Sequence, residues 1–195
     1  MLVSYIIPTY QNFNQSLKQI HDINKNEENE FEILLIDDGS QPKLKCDLNN
    51  VKLIRNRVNG GPSIARNLGA KNAKSKYLFF IDSDIFIAAN SRKEIINEVQ
   101  NYSDKVLMGV YNPKNSFLNI FSLYKNLYWS FNQINVLKNK NNFCTAIFMI
   151  SKQNFEKING FDETLRIGED REFGERIKKN GLQYYSSYNW NGLHF

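Results

Sequence analysis

Four short stretches in the first half of the chain are apolar at nearly every position, and polar or amphipathic segments separate them. These stretches are residues 2–7, 31–36, 51–54 and 77–81. Continuous runs of β-branched, aliphatic and aromatic residues are typical of strands that are buried on both faces. Because these runs alternate with segments of helical periodicity, the pattern predicts an α/β fold with a mostly parallel central sheet flanked by helices.

Capping residues and apolar residues three or four positions apart predict the helices. Leu17, Ile20 and Ile23 share one face of the first helix, with Asn14 or Ser16 as its N-cap. Further helices are predicted at residues 62–73, 91–99, 117–131, 151–158 and 169–179, and further strands at residues 105–111 and 143–150. The helix over residues 117–131 is aromatic on one face, which we expect to pack on the core; a surface that meets a lipid or a sugar acceptor is the alternative.

Length, charge and cysteine content narrow the class of protein. A chain of 195 residues suits one globular domain, and a formal net charge of +5 is too small and too dispersed to indicate nucleic-acid binding. Cys46 and Cys144 form no CxxC pair, which favours a reducing compartment. The sequence contains neither a signal segment nor an apolar run of roughly 18 residues. We therefore expect a cytoplasmic protein, and peripheral contact with the cytoplasmic face of a membrane is a further expectation.

Polar clusters, two of them acidic, follow three of the predicted strands directly. They are Pro8-Thr9-Tyr10, Asp37-Asp38 and Asp82-Ser83-Asp84. Ligands of open parallel sheets bind outside the carboxyl ends of the strands, so we expect these residues to converge on one site. Asp82 and Asp84 are two positions apart, so in extended backbone their carboxylates point to the same side. Carboxylate oxygens suit hard cations, and a site for Mn2+ or Mg2+ is predicted there.

Several common site motifs are absent from the sequence. It contains no GxGxxG and no GxxxxGK[ST], which argues against a dinucleotide oxidoreductase and a P-loop phosphohydrolase. It also contains no GxSxG and no HExxH, which argues against two common classes of hydrolase.

A set of short motifs in a specific order resembles that of the family 2 glycosyltransferases, and the resemblance covers nearly the whole chain. The motifs are Ile6-Ile7-Pro8-Thr9-Tyr10, Leu35-Ile36-Asp37-Asp38-Gly39-Ser40, Asn59-Gly60-Gly61-Pro62-Ser63-Ile64-Ala65-Arg66-Asn67-Leu68-Gly69, Phe80-Ile81-Asp82-Ser83-Asp84, Asn159-Gly160-Phe161-Asp162-Glu163 and Gly168-Glu169-Asp170. The resemblance implies the Rossmann-like GT-A fold. It also implies a single catalytic domain over residues 1–195, with residues 1–100 as the nucleotide-binding half and residues 101–195 as the acceptor-binding half.

The resemblance also implies an activity and a donor site. The activity is inverting, metal-dependent transfer of one sugar from a nucleoside diphosphate sugar to a hydroxyl of a glycan or lipid-linked glycan, in cell-surface polysaccharide synthesis. UDP is the favoured nucleotide, with dTDP and GDP as alternatives. The implied nucleotide-sugar contacts are Pro8, Tyr10, Asp38, Arg66, Asp82 and Ser83. In this scheme Pro8 and Tyr10 line the base, Asp38 hydrogen-bonds it and Asp82 approaches the ribose.

The metal and the acceptor are assigned to other residues of the same motifs. Asp84, Asp82 and His194 are the implied ligands of Mn2+ or Mg2+. Asp170 matches the general base of the family, and Glu169 beside it orients the acceptor. The alternative for Asp170 is a helix-capping role, because Gly168-Glu169-Asp170 puts negative charge at a helix start. The alternative for His194 is a histidine that is only packed.

The chain also departs from the family pattern. The Gln-x-x-Arg-Trp motif of processive members is absent, so one sugar per encounter is expected. Relatives are usually longer, so a C-terminal extension that completes the acceptor site would be missing here. Two other functions stay open: a sugar-nucleotide nucleotidyltransferase, and a non-catalytic nucleotide-binding relic. The first would need a glycine-rich basic loop after the first strand, and the second predicts binding without turnover.

Overall fold

A computed structural model describes most of the chain. The described residues are 3–26, 30–87, 105–111 and 143–194, together with Glu94, Asn97, Tyr124, Leu127, Tyr128 and Phe131. Over this part of the chain the strands are β1 (Val3–Thr9), β2 (Phe31–Asp38), β3 (Val51–Asn56), β4 (Tyr77–Ile81), β5 (Ile85–Ile87), β6 (Val106–Tyr111), β7 (Ile147–Ser151) and β8 (Tyr184–His194). The helices are α1 (Phe13–Asn26), α2 (Pro62–Asn72), α3 (Lys152–Lys157) and α4 (Glu169–Lys179).

The strands of the described residues form one mixed sheet in the order β3-β2-β1-β4-β7-β6-β8-β5. Strands β3, β2, β1 and β4 are parallel, whereas β7 runs antiparallel to both β4 and β6. The chain leaves β1 towards β2 on one side and later returns to β4 on the other side. The carboxyl ends of β1 and β4 therefore meet at a switch in strand order, the place where open α/β sheets bind ligands.

The core lies on both faces of this sheet, which explains why the strands are apolar throughout. Tyr5 and Ile7 of β1 belong to the cluster that α1 covers through Ile20 and Ile23. Ile6, which points to the other side, belongs to the cluster that α2, α3 and α4 cover. The predicted α/β architecture with helices on both faces is confirmed.

An aromatic cluster fills the second face and accounts for much of the aromatic content. Phe80 of β4 stacks on Phe148 of β7 at 4.5 Å between ring centroids. Phe161 stacks on Phe173 of α4 at 4.2 Å, and both rings pack around Phe148. This cluster joins the loop between α3 and α4 firmly to the centre of the sheet.

The first helix begins earlier than the sequence predicted. Helix α1 starts at Phe13, so Asn14 and Ser16 lie inside it and the predicted N-cap is wrong. The Ser16 hydroxyl instead donates to Asn12 O at 3.1 Å, and its oxygen lies 2.9 Å from the Thr9 hydroxyl, which can donate to it. This polar residue is buried inside the helix because it ties α1 to the carboxyl end of β1.

The aromatic segment over residues 117–131 differs from the expectation where the structure describes it. The four described side chains are largely exposed: Tyr124 by 69%, Leu127 by 47%, Tyr128 by 52% and Phe131 by 65%. The prediction that these side chains pack on the core is therefore wrong. The rest of this segment, and nearly all of the helix predicted at residues 91–99, lie outside the described residues. No helix in the described part of the chain combines the length and apolarity that spanning a membrane requires.

Candidate active site

A cavity of about 460 Å³ opens at the carboxyl ends of β1, β2 and β4. It is lined by Pro8, Thr9, Tyr10, Asn12, Asp38, Asn59, Gly61, Pro62, Ala65, Arg66, Asp82, Ser83, Asp84 and Glu169. Every residue predicted to contact the nucleotide sugar is in this set, and so are the predicted metal ligand Asp84 and the predicted acceptor residue Glu169. The strand-end clusters therefore converge as the sequence predicted.

Asp38 reaches the cavity from the end of β2 and organises the glycine turn before α2. Its Oδ1 accepts hydrogen bonds from Asn56 Nδ2 at 2.7 Å and from the Gly60 amide at 3.1 Å, and its Oδ2 accepts from the Gly61 amide at 2.8 Å. Gly61 has a φ of 91°, a conformation that L side chains rarely adopt. A carboxylate offers about four acceptor positions, so Asp38 can accept one further hydrogen bond from a ligand in the cavity.

The neighbouring Asp37 has a different environment, although both carboxylates were prominent in the sequence. Asp37 is fully buried, pairs with the Arg55 guanidinium and accepts from the Ser40 amide at 2.9 Å. Arg55 Nη2 also donates to Ser40 O at 2.9 Å, and the Ser40 hydroxyl accepts from the Gln11 amide. Asp37 thus supports the loops under the cavity while Asp38 faces into it.

The Asp82-Ser83-Asp84 turn joins β4 to β5 and is held by helix α1. The Gln19 side-chain amide donates to Asp82 O at 3.2 Å and to Ile85 O at 2.5 Å. The Ile85 amide closes the turn by donating to Asp82 O at 3.0 Å. Asp82 and Asp84 are half-buried and both line the cavity. Sequence reasoning missed Gln19, whose signal was a polar residue directly before Ile20 on the apolar face of α1.

Arg66 lies between two of the carboxylates and is only 3% exposed. Its Nη2 is 2.7 Å from Asp82 Oδ1, and its Nη1 is 3.2 Å from Glu169 Oε1. Its guanidinium carbon is 5.4 Å from the centre of the Phe161 ring. Burial alone would lower the pKa of Arg66, but the Asp82 and Glu169 carboxylates outweigh burial and raise that pKa above its usual value. Arg66 is therefore a permanent positive charge that joins the strand-end aspartate to the start of α4.

Glu169 and Asp170 open helix α4, where the positive end of the helix dipole favours carboxylates. Glu169 lines the cavity, whereas the next residue, Asp170, is half-buried and does not line it. Asp170 Oδ1 accepts from the Arg171 amide at 2.7 Å. The N-cap of α4 is Gly168 and Asp170 lies in the first turn of the helix, so its alternative role, as negative charge at a helix start, stays open beside that of the general base.

The predicted metal ligands come from the turn after β4 and from β8. No cluster of three or more histidine, cysteine or acidic side chains suited to a metal ion occurs within the described residues. His194 is described through its backbone, which pairs with Ile85, the residue after Asp84. Asp82 and Asp84 supply hard oxygen donors at the cavity wall, which fits a cation that keeps several waters and binds substrate phosphates.

Comparison with known proteins agrees with this arrangement. The family model described as "Glycosyl transferase family 2" matches residues 4–158. The chain therefore belongs to glycosyl transferase family 2. An uncharacterized glycosyltransferase of Rickettsia felis is 43% identical over 88 residues, which cover 42% of this chain and 14% of that protein. One from Haemophilus influenzae is 25% identical over 180 residues, which cover 88% of this chain and 60% of that protein.

Solved structures share the fold. The crystal structure of S. aureus TarS 1-349 in complex with UDP-GlcNAc matches with a TM-score of 0.69 at 21% identity, over 96% of this chain and 59% of that one. The predicted GT-A fold is confirmed. The chain spans less than two thirds of the length of each of these three proteins.

Proposed function

We propose that the chain is the catalytic domain of an inverting, metal-dependent glycosyltransferase. It would move one sugar from a nucleoside diphosphate sugar to a hydroxyl of a glycan or lipid-linked glycan acceptor. The observation that carries this proposal is the single cavity that Asp38, Asp82, Asp84 and Glu169 line together. The proposal takes UDP as the nucleotide, which is supported by the presence of UDP-GlcNAc in the TarS complex.

The proposed chemistry is a single displacement at the anomeric carbon of the donor. The Asp170 carboxylate accepts the proton of the acceptor hydroxyl while the hydroxyl oxygen forms its bond to the anomeric carbon. The bond between that carbon and the diphosphate oxygen breaks, and its electron pair leaves with the diphosphate. Attack from the face opposite the leaving group inverts the anomeric centre. Glu169, held by Arg66, orients the acceptor beside Asp170.

The charge of the cavity supports a divalent cation. Asp38, Asp82, Asp84 and Glu169 face it, and Arg66 is the basic residue among the described residues that line it. These carboxylates would repel a diphosphate, so a ligand of this kind needs additional positive charge. Asp84, with Asp82, would hold Mn2+ or Mg2+ there. When bound, such an ion supplies Lewis-acid stabilisation of the leaving diphosphate.

The test is a thermal-shift screen of UDP-GlcNAc, UDP-glucose, UDP-galactose, dTDP-glucose and GDP-mannose with Mn2+ or Mg2+, followed by an assay of donor hydrolysis. A bound donor at 100 times its Kd should stabilise the folded state by about 2.7 kcal/mol. The Asp84→Ala variant should lose the metal-dependent part of this stabilisation. Asp170→Asn should keep the stabilisation and lose about 100-fold or more in turnover.

Asp47→Ala is the matched control, because Asp47 is an exposed carboxylate outside the cavity. It should behave as the parent in both assays. If the donor stabilises the parent and Asp84→Ala equally, and a chelator changes neither stabilisation, the metal assignment is wrong. Binding without turnover in the parent would favour a non-catalytic relic.

A further inference from the structure

Helix α2 contacts the loop that leads to Glu169 at successive turns of the helix. We name this loop, residues 161–168, the strap. Ser63 Oγ donates to Leu165 O at 3.2 Å, and Arg66 Nη1 reaches Glu169 at 3.2 Å. Asn67, one residue further along, contacts the beginning of the strap. Positions i, i+3 and i+4 share one face of a helix, so this face of α2 carries the contacts with the strap and the start of α4.

Asn67 makes the most extensive of these contacts. Its Oδ1 accepts from the Phe161 amide at 2.8 Å, and its Nδ2 donates to Phe161 O at 2.9 Å. The same Nδ2 donates to Glu163 Oε1 at 2.9 Å. A side-chain amide is suited to this position because it presents a donor and an acceptor to one backbone unit. Asn67 therefore holds the strap through its main chain, largely independently of the side chain at position 161.

The strap has little freedom to take another position. Gly160, which precedes it, has a φ of 59°, and a Cβ there would stand 2.6 Å from Asn67 Oδ1. The Phe161 ring is buried against Phe173 in the aromatic cluster. Beyond it, Asp162 Oδ1 accepts from the Thr164 hydroxyl at 2.7 Å and from the Thr164 amide at 2.9 Å, and these bonds lower the pKa of Asp162. The strap is thus a shaped turn whose position relative to the sheet depends on Asn67 and Phe161.

We infer that Asn67 is a positioning residue for sugar transfer, an inference that rests on the proposed function. By fixing the strap on α2, Asn67 sets where Glu169 and Asp170 stand relative to the Asp82-Ser83-Asp84 turn. The donor side of the cavity is built at the ends of β1, β2 and β4. The strap touches this side through a long contact from Arg166 Nη2 to Asn59 O at 3.5 Å, which does not involve Asn67. Loss of Asn67 should therefore impair the attack on the donor and leave donor binding nearly unchanged.

The first test compares Asn67→Ala with Asn72→Ala in the full chain. Asn72 is the matched control, because its amide bonds to Leu68 O within α2 and its Oδ1 accepts from Lys52. The assay follows Mn2+-dependent hydrolysis of the nucleotide sugar that stabilises the parent most in the screen. For Asn67→Ala, kcat should fall about 10- to 100-fold, the range expected when a reacting group is misplaced by about 1 Å. The KM for the donor should stay within about twofold of the parent, and Asn72→Ala should match the parent in both.

The second test exchanges the amide and the carboxylate of one hydrogen bond. Asn67→Asp should impair kcat at least as much as Asn67→Ala, because two carboxylates would then face each other across the bond to Glu163. Glu163→Gln alone keeps an acceptor for Asn67 and should remain near the parent. When Asn67→Asp and Glu163→Gln are combined, the new amide on the strap can donate to the new carboxylate on α2, so we expect part of the lost kcat to return. A merely structural residue would not show this recovery at an unchanged donor KM.

Each outcome decides one claim. If the parent turns over donor and Asn67→Ala does so with an unchanged kcat, the positioning role is wrong and the proposed function stands. A rise in donor KM that accounts for the whole loss would assign Asn67 to donor binding instead. Absence of turnover in the parent with every nucleotide sugar would overturn the proposed function, and this inference with it.

Discussion

A buried cation connects two of the acidic motifs of this molecule. Arg66 bonds to Asp82, 16 residues away in sequence, and to Glu169, 103 residues away. A guanidinium suits this position because its planar fork can serve two carboxylates at once. The Asp82 side chain is 32% exposed and that of Glu169 is 14% exposed, so removal of the cation would leave two partly desolvated negative charges facing each other.

We expect Arg66→Met to lower the free energy of unfolding by about 3 kcal/mol, at the lower end of the range for breaking a buried ion pair because Asp82 retains some solvent. Arg66→Lys keeps the positive charge but not the planar fork of donors, so it should lower the free energy of unfolding by less than Arg66→Met does. Urea denaturation measures both. Arg171→Met is the control, since the Arg171 side chain is 77% exposed and its pair with Glu175 should contribute less than about 0.5 kcal/mol. Equal midpoints for Arg66→Met and Arg171→Met would contradict the structural importance of the pair.

At this scale the sequence predicted which residues meet but not what each of them bonds to. The positions of Asp38, Asp82 and Asp84 follow from strand ends, which are visible as the limits of apolar runs. The partners of Arg66 depend on how α4 docks on α2, and no local pattern encodes that packing. The resemblance assigned Arg66 to the nucleotide, and this role stays a prediction beside the ion pairs that the structure adds.

Among the elements, helix α1 fixes the shape of the acidic turn after β4. Gln19 is 3% exposed and supplies the donors for two carbonyl groups of that turn. Its Oε1 has no hydrogen-bond partner among the described residues. Together with the buried Ser16, Gln19 gives α1 a polar contact surface towards the strand ends, and Gln19 supplies donors to the carbonyl groups of the turn.

Gln19→Leu should lower the free energy of unfolding by about 1 kcal/mol, because two buried carbonyl groups lose their donor. This value is at the lower end of the usual cost, since the substitution also removes the unsatisfied Oε1. We further expect faster amide exchange at residues 82–85, measured by hydrogen–deuterium exchange mass spectrometry. Gln15→Leu on the same helix is the control and should leave this exchange unchanged. Exchange at residues 82–85 that is as slow in Gln19→Leu as in the parent would refute the role of α1.

Element positions were predicted well where apolar periodicity is strong and poorly where pairing partners decide the structure. Strands β1 to β4 and helices α2 and α4 lie where the pattern placed them. Strands β5 and β8 were not predicted, because β5 is only three residues long and β8 is largely polar. Strand β5 forms because it pairs with the end of β8, and β8 also pairs along β6, so both depend on partners that are far away along the chain.

At the scale of the whole molecule, the sheet joins the two halves that the sequence suggested. Strand β4 of the first half pairs with β7 of the second half over its full length. Phe80 and Phe148 stack across this pairing with their ring planes 6° apart. The single catalytic domain over residues 1–195 stays a prediction, as do the cytoplasmic location and the membrane contact, and this central pairing supports a single cooperative unit.

Phe148→Ala should lower the free energy of unfolding by about 3 to 5 kcal/mol, the usual cost of removing a large buried aromatic side chain. Because β4 and β7 connect both halves, urea transitions followed by far-UV circular dichroism and by tryptophan fluorescence should stay coincident while their midpoint falls. Phe148→Leu retains part of the side-chain volume, so its free energy of unfolding should lie between those of the parent and Phe148→Ala. Two separated transitions in the parent would show that the halves unfold independently.

The pairing of His194 with Ile85 has a practical consequence for handling the protein. A fusion tag attached after β8 would start beside Ile85, the residue that follows the cavity-lining Asp84. Strand β1 instead begins at Val3, at the sheet edge opposite the carboxyl ends that form the cavity. An affinity handle or a surface-immobilisation anchor is therefore better placed at the amino terminus.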